Sequence, residues 1–400
     1  MNIKNSYSSL SKELRKLTKF YELHQIGDAI TESKETRLVC GVDPKYNQWT
    51  LLKLTAIFLY VPLYTRIISN HFGEYYLVDL FAGSGIGYID PNCSSNSCKC
   101  NEESIRIAGT PLMSICYATP QFTKIYLNDI DQRKIDLLNK RLNYLENIAS
   151  QQKKPSWIFD QFKTNIVKFY KEDSNRALED ILNDIEDRDK QIFQQIGKKA
   201  HALIIIDQEG MELNRDTLDR ILHSSVRNDL FILFNTQGVG LQAYNSLRMG
   251  HSSDALDRHL GPQWKDAVRK YAKDRNKNPE DLSKSELSDA IFTYYVNEIY
   301  KQQRIVVGIR IPMRLRPQPL DLIFATPRTQ GGNKYINAIK YIKKLVEETD
   351  INGRGWLAEA LYEFVLKGEL PGLLSYMIKN PREILEKYST SKRYLGKNKD

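Results

Sequence analysis

Five stretches of this chain are apolar, β-branched or aromatic at nearly every position: Tyr75–Phe81, Thr123–Leu127, Ile166–Tyr170, Ala202–Ile206 and Leu230–Phe234. Runs this short and unbroken predict strands buried on both faces. Between them the pattern turns helical. Trp49–Phe72 is long and apolar-rich, with Pro62 expected to bend it. Thr110 can cap the next helix, and Pro111 suits its first position. Arg133–Ala149 places Ile135, Leu138, Leu142, Tyr144 and Leu145 on one face. Glu172-Asp173-Ser174-Asn175 follows the third of these stretches, and a further helix is expected after it, through Ile185. Such alternation predicts a parallel sheet with right-handed crossovers. Arg304–Ile311 and Leu320–Ala325 then read as an antiparallel pair closing the sheet edge, ahead of a last amphipathic helix, Asn333–Glu347.

The polar stretches mark the borders. Residues 1–48 form a charged lead-in without clear core periodicity, and 49–345 the α/β domain, interrupted at 239–303 by a helical insertion. Residues 346–400 read as a small helical appendage with a basic tail. The insertion interleaves Arg248, His251, Arg258, His259, Lys265, Arg269, Lys270 and Lys273 with Tyr244, Trp264 and Tyr271. That mixture suits phosphate and base contacts, and equally a solvated helical cover.

The first strand runs into a glycine-rich turn. Asp79, Phe81, Ala82, Gly83, Ser84 and Gly85 make Asp-x-Phe-Ala-Gly-x-Gly, which resembles the cofactor turn of class I S-adenosylmethionine methyltransferases. In that resemblance the loop amides face the methionine carboxylate, and an acidic group faces its ammonium. A nicotinamide or flavin site is the alternative, although the turn reads G-x-G-x-G rather than G-x-G-x-x-G. A purely structural turn is the third reading. Acidic or amide residues also close the later strands: Asp129, Asp173, Asp207 and Asn235. Ligands of open α/β sheets bind at these carboxyl ends, and the recurrence outweighs any one of them. Asp129 lies 46 residues past Gly83 and stands where such folds grip ribose hydroxyls, with Ile130 beside it; helix capping competes for its role. Asp173 stands where the adenine amino group is met, and capping competes there too. Lys53 could line a site but reads more simply as a solvated lysine.

The chain has 400 residues, is 41% hydrophobic and carries a net charge of +9, which favours a polyanionic partner such as nucleic acid. Residues 1–25 are polar and charged, so no signal peptide is expected. Leu51–Ile68 includes Lys53, Pro62 and Arg66, too short and too polar to span a bilayer. No membrane association and a cytoplasmic location are expected. Cys93, Cys98 and Cys100 cluster in a spacing that is not a standard zinc pattern. They read as a zinc site completed by Asp90, Cys40 or Cys116, as a local disulfide, or as free thiols.

Taken together, the chain resembles the three-Cys-motif partner family (TcmP), a group of methyltransferase-like proteins. The carrying features are Trp49-Thr-Leu-Leu-Lys53, Asp79–Gly85, Gly109-Thr-Pro-Leu112, Asn128-Asp-Ile-Asp131 and Leu320–Thr326. The resemblance implies an α/β, Rossmann-like class I methyltransferase sheet, mostly parallel with an antiparallel last strand. It implies S-adenosylmethionine held by Asp79, the glycine loop, Asp129, Ile130 and Asp173, with a nucleic-acid substrate and a three-Cys-motif protein as a candidate partner. The methyl would lie beside Asp207. Where amino methyltransferases carry Asn/Asp-Pro-Pro-aromatic, this chain reads Asp207-Gln-Glu-Gly210. Asp207 can still accept a hydrogen bond from an amine, and Glu209 can act as a base, but the stacking aromatic is missing. A catalytically silent scaffold that binds nucleic acid or protein is therefore the second expectation.

Overall fold

The computed structural model describes residues 21–46, 48–89, 104–150, 162–311 and 320–329, with further positions between 331 and 343. Cys93, Cys98, Cys100 and the expected appendage lie outside the described residues.

The predicted strands form at nearly the predicted places. They are β1 (Glu74–Asp79), β4 (Lys124–Asn128), β5 (Val167–Tyr170), β6 (Ala200–Ile206), β7 (Arg227–Phe234), β8 (Arg304–Ile311) and β9 (Leu320–Pro327). Their order in the sheet is β5-β4-β1-β6-β7-β9-β8. β1 pairs parallel with β4 and β6, while β9 runs antiparallel to both β7 and β8. This is the α/β, Rossmann-like arrangement of class I methyltransferases. The chain builds outward from β1 in one direction, then returns to the other side with β6. A crevice therefore opens at the carboxyl ends of β1, β4 and β6, the topological switch point.

Alternation along the strands explains the layers. Leu77, Ile125, Leu127, Leu203 and Ile205 face one core, with helices α1 (Tyr21–Thr31), α2 (Gln48–His71), α3 (Thr110–Tyr117) and α4 (Gln132–Ser150). Tyr76, Val78, Tyr126, Ile204 and Ile206 face the other, with α5 (Ser174–Ile196), α6 (Arg215–Leu222) and the insertion helices α7 (Thr236–Met249), α8 (Asp254–Leu260), α9 (Trp264–Lys273) and α10 (Lys284–Lys301). Side chains of period two on a strand must diverge in this way.

Three local expectations change. The segment after the glycine turn opens and closes as a hairpin, β2 (Ile86–Ile89) with β3 (Ile105–Ala108), paired antiparallel. Four-residue strands separated by a polar insertion carry too little alternation to be read from sequence. Thr110 is the first helical residue rather than the cap, which Gly109 occupies. The lead-in contributes to the core, since Ile26 and Ile30 are fully buried. No helix among the described residues is long and apolar enough to cross a membrane.

Candidate functional site

The strand ends open into a cavity of about 520 Å³, in the size range of sites for cofactor-sized ligands. The turn after β1 forms part of its wall. Gly83 and Gly85 hold φ of +62° and +80°, a region that side chains enter at a cost. A Cβ at Gly83 would meet nothing within 4 Å, so a ligand can approach that backbone closely. The loop is tied down from both sides. Phe81 N–H donates to Asp79 Oδ1 at 3.1 Å, and Gly83 N–H donates to Asp129 Oδ2 at 3.1 Å. Replacing Gly85 by alanine would keep φ at +80° and bring the new methyl 2.5 Å from Leu138 Cδ1. A loss of about 1–3 kcal/mol is expected, measurable by thermal unfolding.

Phe81, Ala82, Gly83, Ser84, Gly85, Asp129, Ile130, Asp173, Asp207 and Glu209 all line this cavity. Asp129 is nearly buried, and its Oδ1 also accepts from Asp131 N–H at 2.9 Å. Capping of α4 falls to Asp131, whose carbonyl accepts from Lys134 and Ile135, so the competing role for Asp129 is taken. Ile130 is 73% exposed, an aliphatic wall that a flat apolar ring would cover. Asp173 caps α5, accepting from Asn175 N–H at 3.0 Å, while its position still borders the cavity. Asp79 does not line the cavity. It is fully buried beneath it, and its Oδ2 has no hydrogen-bond partner among the described residues. Burial, followed by the charge of Asp207, pushes its pKa up to about 8.

The turn after β6 holds a pairing that the sequence reading missed. Lys53, expected to be solvated, reaches from α2 to Asp207, Nζ to Oδ2 at 2.5 Å, with the two side chains 15% and 16% exposed. Glu209 is exposed; its carbonyl accepts from Asn235 Nδ2 at 2.7 Å, and Asn235 in turn caps α7. The ends of β6 and β7 are thereby fastened together.

Arg141 was also missed. It is fully buried on α4, with Nη1 2.6 Å from Asp43 Oδ1 and Nη2 2.8 Å from Oδ2. It donates further to the carbonyls of Thr36, Arg37 and Ser84. Ser84 Oγ donates to Asp43 at 2.5 Å. The lead-in and the glycine loop are thus held by one guanidinium. A signal was present: Arg141 falls three residues after Leu138 and four before Leu145, on the apolar face of α4, and a charge there requires a buried partner.

The insertion differs from its basic-aromatic reading. Trp264 and His259 are core residues, 0% and 1% exposed. Trp264 Nε1 donates to Asp257 at 2.7 Å, and His259 Nδ1 lies 2.8 Å from the Leu213 carbonyl. Lys265 and Arg269 pair with Asp257 and Asp266. A larger groove of about 1490 Å³ among α6, α8, α9 and α10 is lined by seven carboxylates, including Asp216, Asp254 and Asp274, against Arg215, Arg258, Lys270 and Lys301. It shares no lining residue with the cavity at the strand ends. Among the described residues no group of three or more His, Cys, Asp or Glu is placed to hold a metal. Cys40, weighed as a zinc ligand, is disulfide-bonded. Cys116 is a free buried thiol whose pKa burial pushes up to about 12.

No protein-family model matches the chain, and no curated protein matches it. Among solved structures, it is similar to the complex of Trm1 from Pyrococcus horikoshii with S-adenosyl-L-methionine, at 13% identity and a TM-score of 0.35. The match covers 74% of this chain and 64% of that one, less than two thirds of its length. The fold rests on the strand order.

Proposed function

We propose that this chain is an S-adenosylmethionine-dependent methyltransferase acting on nucleic acid, related to the TcmP proteins it resembles and organised around residues 49–345. The observation that carries the reading is the shared wall of a single cavity. The open backbone at Gly83, the carboxylate of Asp129 and the exposed Ile130 stand side by side, matching in order a carboxylate, a ribose and a purine. The cavity of about 520 Å³ accommodates a ligand of that size.

In this reading the amides of Ser84 and Gly85 take the methionine carboxylate, those of Phe81 and Gly83 being held by Asp79 and Asp129, and the buried Asp79 supplies negative charge beneath its ammonium. Asp129 takes the ribose hydroxyls, Ile130 covers the adenine and Asp173 faces its amino group. When bound, S-adenosylmethionine supplies an electrophilic methyl group whose bonding pair leaves with sulfur. Asp207 orients the acceptor nitrogen toward that methyl, and Asp207 or Glu209 takes the proton the nitrogen loses on methylation. Positioning does most of the work. Binding of a three-Cys-motif protein would follow from the family resemblance.

A second reading has its own support. Asp207 is already engaged by Lys53, and the turn after β6 has no Pro-Pro-aromatic, as in a scaffold that binds without catalysing. Calorimetric titration with S-adenosylmethionine and S-adenosylhomocysteine tests the site. Wild type is expected to bind in the micromolar range, and Asp129→Ala to lose about tenfold or more, the scale of charge-assisted hydrogen bonds. A folded wild type that binds neither ligand would overturn the methyltransferase reading.

A further inference from the structure

Amino-group chemistry on a base needs an aromatic wall, and the turn after β6 has none. The cavity nonetheless holds one on the same side. Tyr46 lines it together with Lys53 and Asp207, and it comes from the segment before α2. Four contacts fix it there. Its N–H donates to the Tyr88 carbonyl at 2.7 Å, and Tyr88 N–H donates to the Pro44 carbonyl at 3.0 Å. Its ring lies against Gly87, where a Cβ would come within 2.3 Å of ring carbons, and its hydroxyl lies where a Cβ of Gly109 would meet it at 2.6 Å. The last glycine of the G-x-G-x-G run therefore makes room for this tyrosine rather than for a ligand. A ring held by the backbone bonds to Tyr88 and by two glycines loses little entropy when something stacks on it. Desolvation, then the nearby charge of Asp207, raises the phenol's pKa, so it stays a neutral O–H.

The Lys53–Asp207 pair narrows the kind of amine. An unpaired carboxylate at this point would favour an alkylammonium, such as a lysine side chain. Here an ammonium already sits 2.5 Å from Oδ2, so a second cation gains much less from Asp207 than it would from an unpaired carboxylate. A neutral amine does not depend on that attraction and can donate N–H to Asp207 Oδ1. We infer that Tyr46 and the Lys53–Asp207 pair form an acceptor subsite for a planar, uncharged amine, the exocyclic amino group of a nucleobase stacked on Tyr46, and that this subsite disfavours cationic side chains. The inference rests on the methyltransferase reading and assigns its substrate class.

The test uses the full-length protein saturated with S-adenosylhomocysteine and two probes. One is a short single-stranded oligonucleotide carrying 2-aminopurine, whose fluorescence reports stacking; the other is a lysine-rich peptide. Wild type should bind the oligonucleotide and quench its fluorescence, and should bind the peptide poorly. Tyr46→Phe should retain the quenching. Tyr46→Leu should lose it and bind the oligonucleotide roughly tenfold to a hundredfold more weakly, the range of one base–aromatic stack, with unchanged affinity for S-adenosylhomocysteine. Lys53→Met should raise affinity for the peptide. Equal loss of S-adenosylhomocysteine affinity in Tyr46→Leu would make Tyr46 a cofactor wall and overturn the inference. Undiminished quenching in that variant would overturn it too. Preference of wild type for the peptide would overturn the substrate class while leaving the methyltransferase reading standing. Failure of wild type to bind S-adenosylhomocysteine would remove the reading beneath it.

Discussion

Arg141→Ala is expected to destabilise the protein by about 3–5 kcal/mol, the cost of leaving one partner of a buried ion pair behind. Both side chains of the Arg141–Asp43 pair are 0% exposed, so water cannot replace the lost partner. Among the described residues Asp43 would keep Ser84 Oγ and Val39 N–H as donors, and the carbonyls of Thr36, Arg37 and Ser84 would each lose a hydrogen bond. Chemical denaturation at neutral pH measures the loss. Removing both charges, as Arg141→Met with Asp43→Asn, should cost less than the single change, because no uncompensated charge stays buried. If the double variant were the less stable, packing rather than charge would explain the site. Arg141→Lys should fall between, since an ammonium cannot reproduce the guanidinium's fork. The Ser84 carbonyl is one of the lost acceptors, so the glycine loop should loosen and ligand affinity should fall along with stability.

The second large effect is one of pH. Asp79 has its pKa raised from 3.8 to about 8 by burial and then by Asp207. An unfolded chain ionises this group above about pH 4, whereas the folded one holds its proton to about pH 8. Between those values the native state binds more protons than the unfolded state, so stability falls as pH rises and levels off above about 8. At about 1.4 kcal/mol per pKa unit, a shift from 3.8 to about 8 is worth about 6 kcal/mol across that window. Asp79→Asn should flatten this slope and leave the protein more stable than wild type at pH 8 to 9, in urea unfolding measured at several pH values. A slope identical in both proteins would assign the pH dependence elsewhere. In the proposed function the same group gains its charge when a cation lies above it. Cofactor affinity should then rise with pH up to about 8, with a proton released on binding below that.

Much of the fold was legible because its signals are local. Strands buried on both faces produce unbroken apolar runs, and helices such as α4 show their apolar face within a few turns. Gly83 and Gly85 were legible for a steric reason, since positive φ asks for glycine. Asp129 was legible because its place at the end of β4 follows from the strand itself. Asp173 was readable both as a cap and as a site residue, and its capping contact to Asn175 depends on two residues of separation only. The insertion misled because an indole or imidazole contributes the same letter whether it packs inward, as Trp264 and His259 do, or faces solvent.

The chain by itself determined the order of strands and helices, the glycine turn and the acidic residues that close the strands, since each depends on neighbours a few positions away. Tertiary structure alone decided which charges meet. Lys53 and Asp207 are 154 residues apart in sequence, and Arg141 and Asp43 are 98 apart. A lysine on an apolar helix reads as solvated until the sheet brings a carboxylate to its end. Tyr46 likewise belonged to a polar lead-in until backbone bonds to Tyr88 set its ring against Gly87. Periodicity records which face of an element is buried; which groups share that burial follows only from how the layers pack.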